Sequence, residues 1–385
     1  MSKSLTIAMV AGEASGDLLG AALIREIRRH HPDARCYGIG GPKMIEEGFE
    51  SLYPMERLSV MGLVEVLGRL KELLGIRRSL RERFIEDRPD VFIGIDAPDF
   101  NLALERSLKE NRIPTVHYVS PQVWAWREGR LKKIRRSVDH MLALLPFETD
   151  YYRGHGVPVT FVGHPLADQV PMEPDQAAAR RQLEIPEQGR VVALLPGSRK
   201  AEVARLGELF LATARMLGRE VKDLRFLIPC ANERRKRQLL PILEGYRDLE
   251  VTLTDGRSSE VMAASDAILI ASGTASLEAA LHKRPMIISY RMASLSFAII
   301  SRLVKVKHVG LPNLLAKEPL IPELLQDQAT PENLCVAMKK ALLDEDWRQH
   351  LQDEFAEIHH TLKRDASVLA WEAIQSVIGK YDAAK

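Results

Sequence analysis

Residues 267–290, AILIASGTASLEAALHKRPMIISY, constrain the fold most. Residues 267–271 form a short, wholly apolar run, which suits a strand buried on both faces. Ser272-Gly273-Thr274 breaks it. Residues 275–283 have helical spacing, with Leu277, Ala280 and Leu281 on one face. Pro285 ends the helix, and residues 286–290 read as the next strand. A strand entering a helix through a glycine-containing turn leaves backbone N–H groups without partners, and these and the helix dipole favour an anion. Glu278, one turn into the helix, suits the vicinal hydroxyls of a sugar. One reading is therefore a nucleotide site, with diphosphate at Ser272–Thr274 and ribose at Glu278. The other is an ordinary strand–helix turn, with Thr274 as N-cap and Glu278 on a solvated face.

The same unit recurs along the chain. Strands are expected at 5–11, 36–41, 89–96, 113–119, 141–147 and 157–162, and again at 191–195, 226–230, 251–254 and 268–271. Helical patterns follow most of them, so a mainly parallel sheet with helices on both faces is implied. The chain has 385 residues, which favours two domains. The proline-bearing segment 163–175 reads as the linker. The first turn, Gly12-Glu13-Ala14-Ser15-Gly16-Asp17, precedes a helix from about residue 17 to 29, and it lacks the dinucleotide fingerprint GxGxxG. Asp96 ends a strand, where open α/β sheets face their ligands, and Asp99 reads as the N-cap of the next helix. Pro196-Gly197-Ser198-Arg199-Lys200-Ala201-Glu202 is a second anion-type turn, and Arg199 brings a guanidinium fork suited to phosphate. Residues 310–315 read as a loop and 331–380 as helical.

Several classes are excluded or weakened. Formal net charge is +2, so bulk charge does not point to nucleic acid. The basic run 127–136 lacks interleaved stacking aromatics. Cys36, Cys230 and Cys335 are scattered, which fits neither a disulfide framework nor a zinc site and suits a reducing cytoplasm. No metal site is expected, and Asp344-Glu345-Asp346 falls between helices. The N-terminal apolar run is too short for a signal peptide, and no stretch suits a spanning helix. Residues 58–84 are unusual. Leu63, Val66, Leu67, Leu70, Leu73 and Leu74 recur at helical spacing, Val60, Met61 and Val64 widen the stripe, and Arg77, Arg78, Arg81 and Arg83 follow. This is either a core helix with a basic end or a helix on a membrane surface. Phe297, Ile299, Ile300 and Leu303, with Arg302, Lys305 and Lys307, form a second such patch. Trp124 and Trp126 lie on a loop that either stacks on a sugar, marks a lipid interface or packs a domain edge.

Six motifs in order, VAGEASGD (10–17), GIDAPDF (94–100), HYVSPQVWAWR (117–127), LLPGSRKAEV (194–203), ASGTASLE (271–278) and LPNLLA (311–316), together resemble the lipid-A-disaccharide synthase family. The match runs along the chain without a large insertion. The resemblance implies a GT-B fold: two Rossmann-like parallel-sheet domains facing a central crevice. Domains are expected at 1–168 (acceptor and membrane) and 169–345 (UDP-sugar donor), with C-terminal helices at 346–385 crossing back to the first. It implies transfer from UDP-2,3-diacylglucosamine to 2,3-diacylglucosamine 1-phosphate with inversion, no cofactor and no nucleic acid. The enzyme would sit on the cytoplasmic face of the inner membrane, and a homodimer is left open. Asp96 corresponds to the family's base, with Arg199 the second catalytic group. Gly197, Ser198, Glu202, Ser272, Gly273, Thr274, Glu278 and Asn313 would line the donor, and Glu13, Ser15 and Gly16 the acceptor. Related GT-B transferases, UDP-N-acetylglucosamine epimerases and a non-enzymatic UDP-sugar-binding module are the rivals.

Overall fold

In the computed structural model, residues 4–58, 63–121, 123–126, 128–292 and 307–383 are described. They form two units, Met1–Asp168 with Leu362–Lys385, and Gln169–Thr361. The return to the first unit therefore begins at Leu362, not at 346. Helix Glu345–Leu362 lies almost wholly in the second unit, and helix Ala366–Ala383 belongs to the first.

The first unit has seven strands: β1 (Thr6–Ala11), β2 (Arg35–Ile39), β3 (Glu50–Ser51), β4 (Val91–Ile95), β5 (Thr115–Tyr118), β6 (His140–Ala143) and β7 (Val159–Phe161). All pair in parallel, in the order β3-β2-β1-β4-β5-β6-β7. Ile7, Met9, Val91, Phe92 and Ile93 are fully buried, as expected of strands covered on both faces. Helix Leu63–Asp87 packs on helix Pro98–Glu110 through its C-terminal half. There Ile76, Leu80 and Phe84 are buried with Tyr37 and Phe92. Phe84→Ala would cost about 3–5 kcal/mol. The N-terminal half differs: Leu70 and Leu74 are 42% and 44% exposed. Arg78 pairs with Glu82 and Arg83 with Asp87.

The second unit has six parallel strands: β8 (Arg190–Leu195), β9 (Leu224–Cys230), β10 (Val251–Asp255), β11 (Ala267–Ile270), β12 (Met286–Tyr290) and β13 (Glu323–Leu325). Their order is β10-β9-β8-β11-β12-β13. The core joins Val192, Leu194, Phe210, Phe226, Leu269 and Ile287.

Each sheet is doubly wound. The strand order reverses between β1 and β4 in one and between β8 and β11 in the other, the arrangement that opens a ligand site beyond the strand C-termini. Both joints are in register: Ala11 faces Ile95, and Leu195 faces Ile270.

Some local expectations change. The first helix is Ala14–His30, starting earlier than expected. Residues 310–315 are not all loop, because Leu311–Leu315 is a short helix. The 331–380 span comprises Pro331–Leu343, Glu345–Leu362 and Ala366–Ala383. Asp344 Oδ1 accepts from Trp347 N (3.0 Å), so this acid caps the helix that follows. Residues 293–306, Val60, Met61 and Arg127 lie outside the described residues, as do the side chains of Val64, Val66, Leu67 and Trp126.

Candidate active site

At the first reversal, the loops after β1 and β4 lie side by side. Asp96 and Ala97 take left-handed backbone angles, φ 51° and 45°. For residues other than glycine this costs roughly 1–2 kcal/mol each. Among the hydrogen bonds that hold the turn, Asp96 N donates to Tyr118 O (2.8 Å), and Asn101 Nδ2 donates to Asp96 O (2.8 Å). Asp96 is half-buried at the sheet edge. Gly12 gives the turn room, since a Cβ there would come within 2.9 Å of the Ala97 Cβ. Glu13 is the N-cap of the first helix, Ser15 is exposed on its first turn, and Gly16 is buried against Ala11 and Ile95. The register thus brings Glu13, Ser15, Gly16 and Asp96 to one edge. Asp17 is buried, and its carboxylate accepts from the N–H groups of Gly41 (2.9 Å), Lys43 (2.9 Å) and Met44 (3.0 Å). It builds the scaffold. Asp99 is not the N-cap. Ala97 holds that position, and Asp99 pairs with Arg130 at 2.7 Å.

Beyond β5, the Trp124 indole donates to Glu148 Oε1 (3.1 Å), and Trp124 meets Phe147 edge-on at 4.8 Å. Trp124 is therefore packed against this unit. Glu148 Oε2 accepts from Leu145 N (3.1 Å). Burial pushes the Glu148 carboxyl up to about 7, against the hydrogen bonds from Ser120, Leu145, Trp124 and Leu144. Glu148 escaped the sequence reading because nothing near it in sequence suggests burial.

At the second reversal the backbone turns on glycines, Gly197 at φ 108° and Gly273 at φ 135°. Free N–H groups were expected at Ser198 and Arg199. Both instead donate to Glu202 Oε2 (3.1 Å each), and Arg199 Nη1 lies 3.2 Å from Glu202 Oε1. A Cβ on Gly197 would collide with this carboxylate. Glu202 therefore caps its own helix, Lys200–Glu220, and braces Arg199, whose side chain stays 63% exposed. The other turn is open. The N–H groups of Ser272, Gly273 and Thr274 have no partner among the described residues. Gly273, not Thr274, is the N-cap of helix Thr274–Leu281. The Ser272 hydroxyl donates to Val309 O (3.0 Å).

Glu278 is half-buried one turn into that helix. Burial raises its pKa, the Ser259 hydroxyl lowers it and Glu260 raises it further. Ser259 Oγ also meets His282 Nε2 at 2.8 Å, and burial, then Arg284, Lys283 and His359, hold that imidazole down to about 4.

Asn313 has no amide capacity left for a ligand. Its Nδ2 donates to Ile321 O (2.9 Å) and Glu323 Oε1 (2.8 Å), and its Oδ1 accepts from Leu320 N (2.8 Å) and Ile321 N (3.0 Å). Glu323 also accepts from Val309 N (2.9 Å) and Gly310 N (3.0 Å). The pair fixes the segment that receives the Ser272 hydroxyl. Glu323 was invisible in the sequence because its strand is only three residues long. Among the described residues no cluster of His, Cys, Asp or Glu is placed to hold a metal ion.

A model of the family described as lipid-A-disaccharide synthetase matches residues 7–376. The lipid-A-disaccharide synthase of Pseudomonas syringae pv. tomato is 56% identical over 380 residues, covering 98% of this chain and 99% of its own. That of Pseudomonas aeruginosa strain UCBPP-PA14 is 54% identical over 378 residues, with 98% and 99% covered. Among solved structures, the UDP-GlcNAc 2-epimerase of Neisseria meningitidis bound to UDP-GlcNAc aligns with TM-score 0.66 at 12% identity, covering 96% of this chain and 100% of its own. MurG of Acinetobacter baumannii aligns with TM-score 0.59 at 12% identity, with 97% and 100% covered. At that identity the two structures speak for the GT-B fold alone.

Proposed function

The chain belongs to the lipid-A-disaccharide synthetase family, glycosyltransferases of lipid A biosynthesis with the GT-B fold, and from that premise we propose the following reaction and residue roles. The enzyme transfers 2,3-diacylglucosamine from UDP to the 6-hydroxyl of 2,3-diacylglucosamine 1-phosphate, with inversion to a β-1′,6 linkage, and releases UDP. One observation carries the roles. In each unit the singled-out residues flank the strand reversal, with a carboxylate at one and, at the other, a guanidinium and N–H groups that have no partner among the described residues.

In a single displacement, the acceptor O6 attacks the anomeric carbon while the carbon–diphosphate bond breaks. The hydroxyl is a poor nucleophile at neutral pH, so Asp96 takes its proton as the new bond forms. Glu13, Ser15 and Gly16 border the acceptor. Negative charge grows on the departing diphosphate. Arg199 and the N–H groups of Ser272, Gly273 and Thr274 meet it with donors already oriented. Glu278 holds the ribose hydroxyls. Gly197 and Ser198 shape the turn, Glu202 braces Arg199, and Asn313 with Glu323 braces the Ser272 turn. The last three act by positioning.

Both substrates carry acyl chains, so the enzyme works at the cytoplasmic surface of the inner membrane. No described helix is long and apolar enough to cross a membrane. Exposed Leu70 and Leu74 on helix Leu63–Asp87 support surface contact.

Mass spectrometry of the product tests the reaction. Purified protein given both diacylated sugars is expected to form a tetra-acyl disaccharide 1-phosphate with one UDP per disaccharide. UDP release without acceptor, or an isomerised donor, would replace this reading with hydrolysis or epimerisation.

A further inference from the structure

The left-handed turn at Asp96–Ala97 has an unusual support. Asn101 is fully buried, and its amide nitrogen lies 2.8 Å from Asp96 O and 3.2 Å from Val10 O. Val10 is the penultimate residue of β1, and Asp96 directly follows β4. One carboxamide therefore uses its two hydrogens to join the two sides of the reversal. Its backbone N–H closes the same turn on Ala97 O (3.0 Å), as does that of Phe100 (3.0 Å). Beneath it, Glu105 and His117 are both fully buried and bonded at 2.6 Å. A Cβ on Gly94 would collide with the Glu105 carboxylate and press on the Asn101 side chain. The nitrogen end of the amide is thus fixed by backbone carbonyls above a packed floor, while Asn101 Oδ1, Glu105 Oε2 and His117 Nε2 are buried with no hydrogen-bond partner among the described residues.

A carboxylate on a turn held only by a loop would sample many directions. A small displacement of a reacting group costs rate out of proportion to its size. Asparagine suits this position for a specific reason. Its amide nitrogen donates to Asp96 O and Val10 O, with Ile95 O at 3.5 Å, whereas an aspartate would set an anion against these three carbonyl oxygens.

We propose that Asn101 is a positioning residue of the transfer reaction: its buried amide holds the strained Asp96–Ala97 turn against β1 and so fixes the direction of the Asp96 carboxylate. This rests on the reading of Asp96 as the base. Asn101 touches neither substrate. Its loss should lower turnover and leave donor affinity alone.

Kinetics of the full-length enzyme test this with Asn101→Ala, Asn101→Ser, each of them combined with Ala97→Gly, Ala97→Gly alone and Asp96→Asn. Glycine accepts positive φ without a steric penalty, so Ala97→Gly relieves the strain that Asn101 otherwise restrains. For Asn101→Ala we expect kcat to fall on the order of 10–100-fold, with the donor KM and UDP affinity within about twofold. Asn101→Ser, which keeps one donor, should lose less, and it carries the test if the alanine variant does not fold. In either background Ala97→Gly should restore part of kcat beyond its own effect in the parent. A kcat near the parent value in both Asn101 variants overturns the inference. So does a loss that Ala97→Gly does not relieve, or one shared by UDP affinity, because a merely structural role predicts both. Asp96→Asn separates the two layers. If it keeps near-normal turnover, the base assignment itself falls. If it is inactive while the Asn101 variants are unimpaired, only the positioning role falls.

Discussion

The two strand reversals of this molecule have the same topology and opposite chemistry. In the first unit the turn after β4 places two residues other than glycine at positive φ and presents a carboxylate. In the second, the turns after β8 and β11 use Gly197 and Gly273; the former presents the exposed Arg199 side chain, and the latter N–H groups without a partner among the described residues. The difference follows from what each turn must expose. On the proposed mechanism a proton acceptor needs a side chain held in one direction, and the first turn has a Cβ and tolerates strain, which Asn101 and Tyr118 O restrain. On the same proposal a cradle for phosphate oxygens needs the backbone itself to come close, which Gly273 allows, whereas Gly197 makes room for the Glu202 carboxylate.

The largest expected effect lies on the carboxylate side. Asp96→Asn keeps size and polarity but accepts no proton as an anion. Turnover should fall roughly 10²–10⁴-fold, with UDP binding by calorimetry nearly unchanged. Near-normal turnover would leave the contrast without its catalytic meaning.

Two carboxylates at helix starts sharpen the contrast through stability. Glu202 has a guanidinium beside it, whereas only neutral donors oppose the burial of Glu148. With its folded pKa raised from 4.5 to about 7, Glu148 favours folding most below about pH 4.5. That advantage is lost as pH rises through about 7, a change of about 3 kcal/mol. Urea unfolding of the parent and of Glu148→Gln at several pH values checks this. The parent should lose stability relative to the variant between pH 4.5 and 8, and a constant difference would contradict it.

On the backbone side, Arg199→Lys keeps the charge and loses the fork that meets two oxygens at once. UDP affinity and turnover should each fall about tenfold, from the loss of one charged hydrogen bond. An unchanged UDP affinity would remove Arg199 from the donor. Glu278→Gln has a smaller expected effect, about threefold to tenfold on UDP and little on inorganic diphosphate. Equal losses for both ligands would mean that Glu278 does not contact the ribose. The smallest effect concerns exposed apolar surface on the first unit. Replacing Leu70 and Leu74 by serine should weaken binding to anionic vesicles about twofold to threefold, because each side chain is only partly exposed and gives up a fraction of its apolar surface to the interface, without changing thermal stability. A large drop in melting temperature would show instead that these side chains belong to the core.

What the sequence disclosed was local. Short apolar runs ending in glycine-rich turns marked most strands, and acids or arginines at those ends marked Asp96, Arg199 and Glu278. What it concealed depends on groups distant along the chain or on unremarkable local patterns. Asp17 sits in a glycine-rich motif like a ligand residue, yet its carboxylate is used 24 to 27 residues away. Asn313 reads as a donor contact, yet Leu320, Ile321 and Glu323 saturate its side-chain amide. Ser198 and Arg199 lost their free N–H groups to a carboxylate only three and four positions on. The turn into a helix was legible there, but not that Glu202 would fold its carboxylate back onto the two N–H groups.

The helix Ala366–Ala383 has a further consequence, for the order of assembly. Asp168 accepts the N–H groups of Arg364 (3.1 Å), Asp365 (3.0 Å) and Ala366 (2.8 Å), and His164 N donates to Leu362 O (2.9 Å). Trp371 is buried edge-on to His31 at 5.6 Å, and the Tyr381 hydroxyl donates to Asp139 (2.9 Å). The second unit is one continuous stretch, whereas the first is split around it. During synthesis, domains fold as their residues leave the ribosome. The half that begins first is therefore completed last. Until residues 362–383 emerge, the surface around His31 lacks Trp371 and Asp139 lacks the Tyr381 hydroxyl, and the nascent chain carries an unfinished first unit and a finished second one.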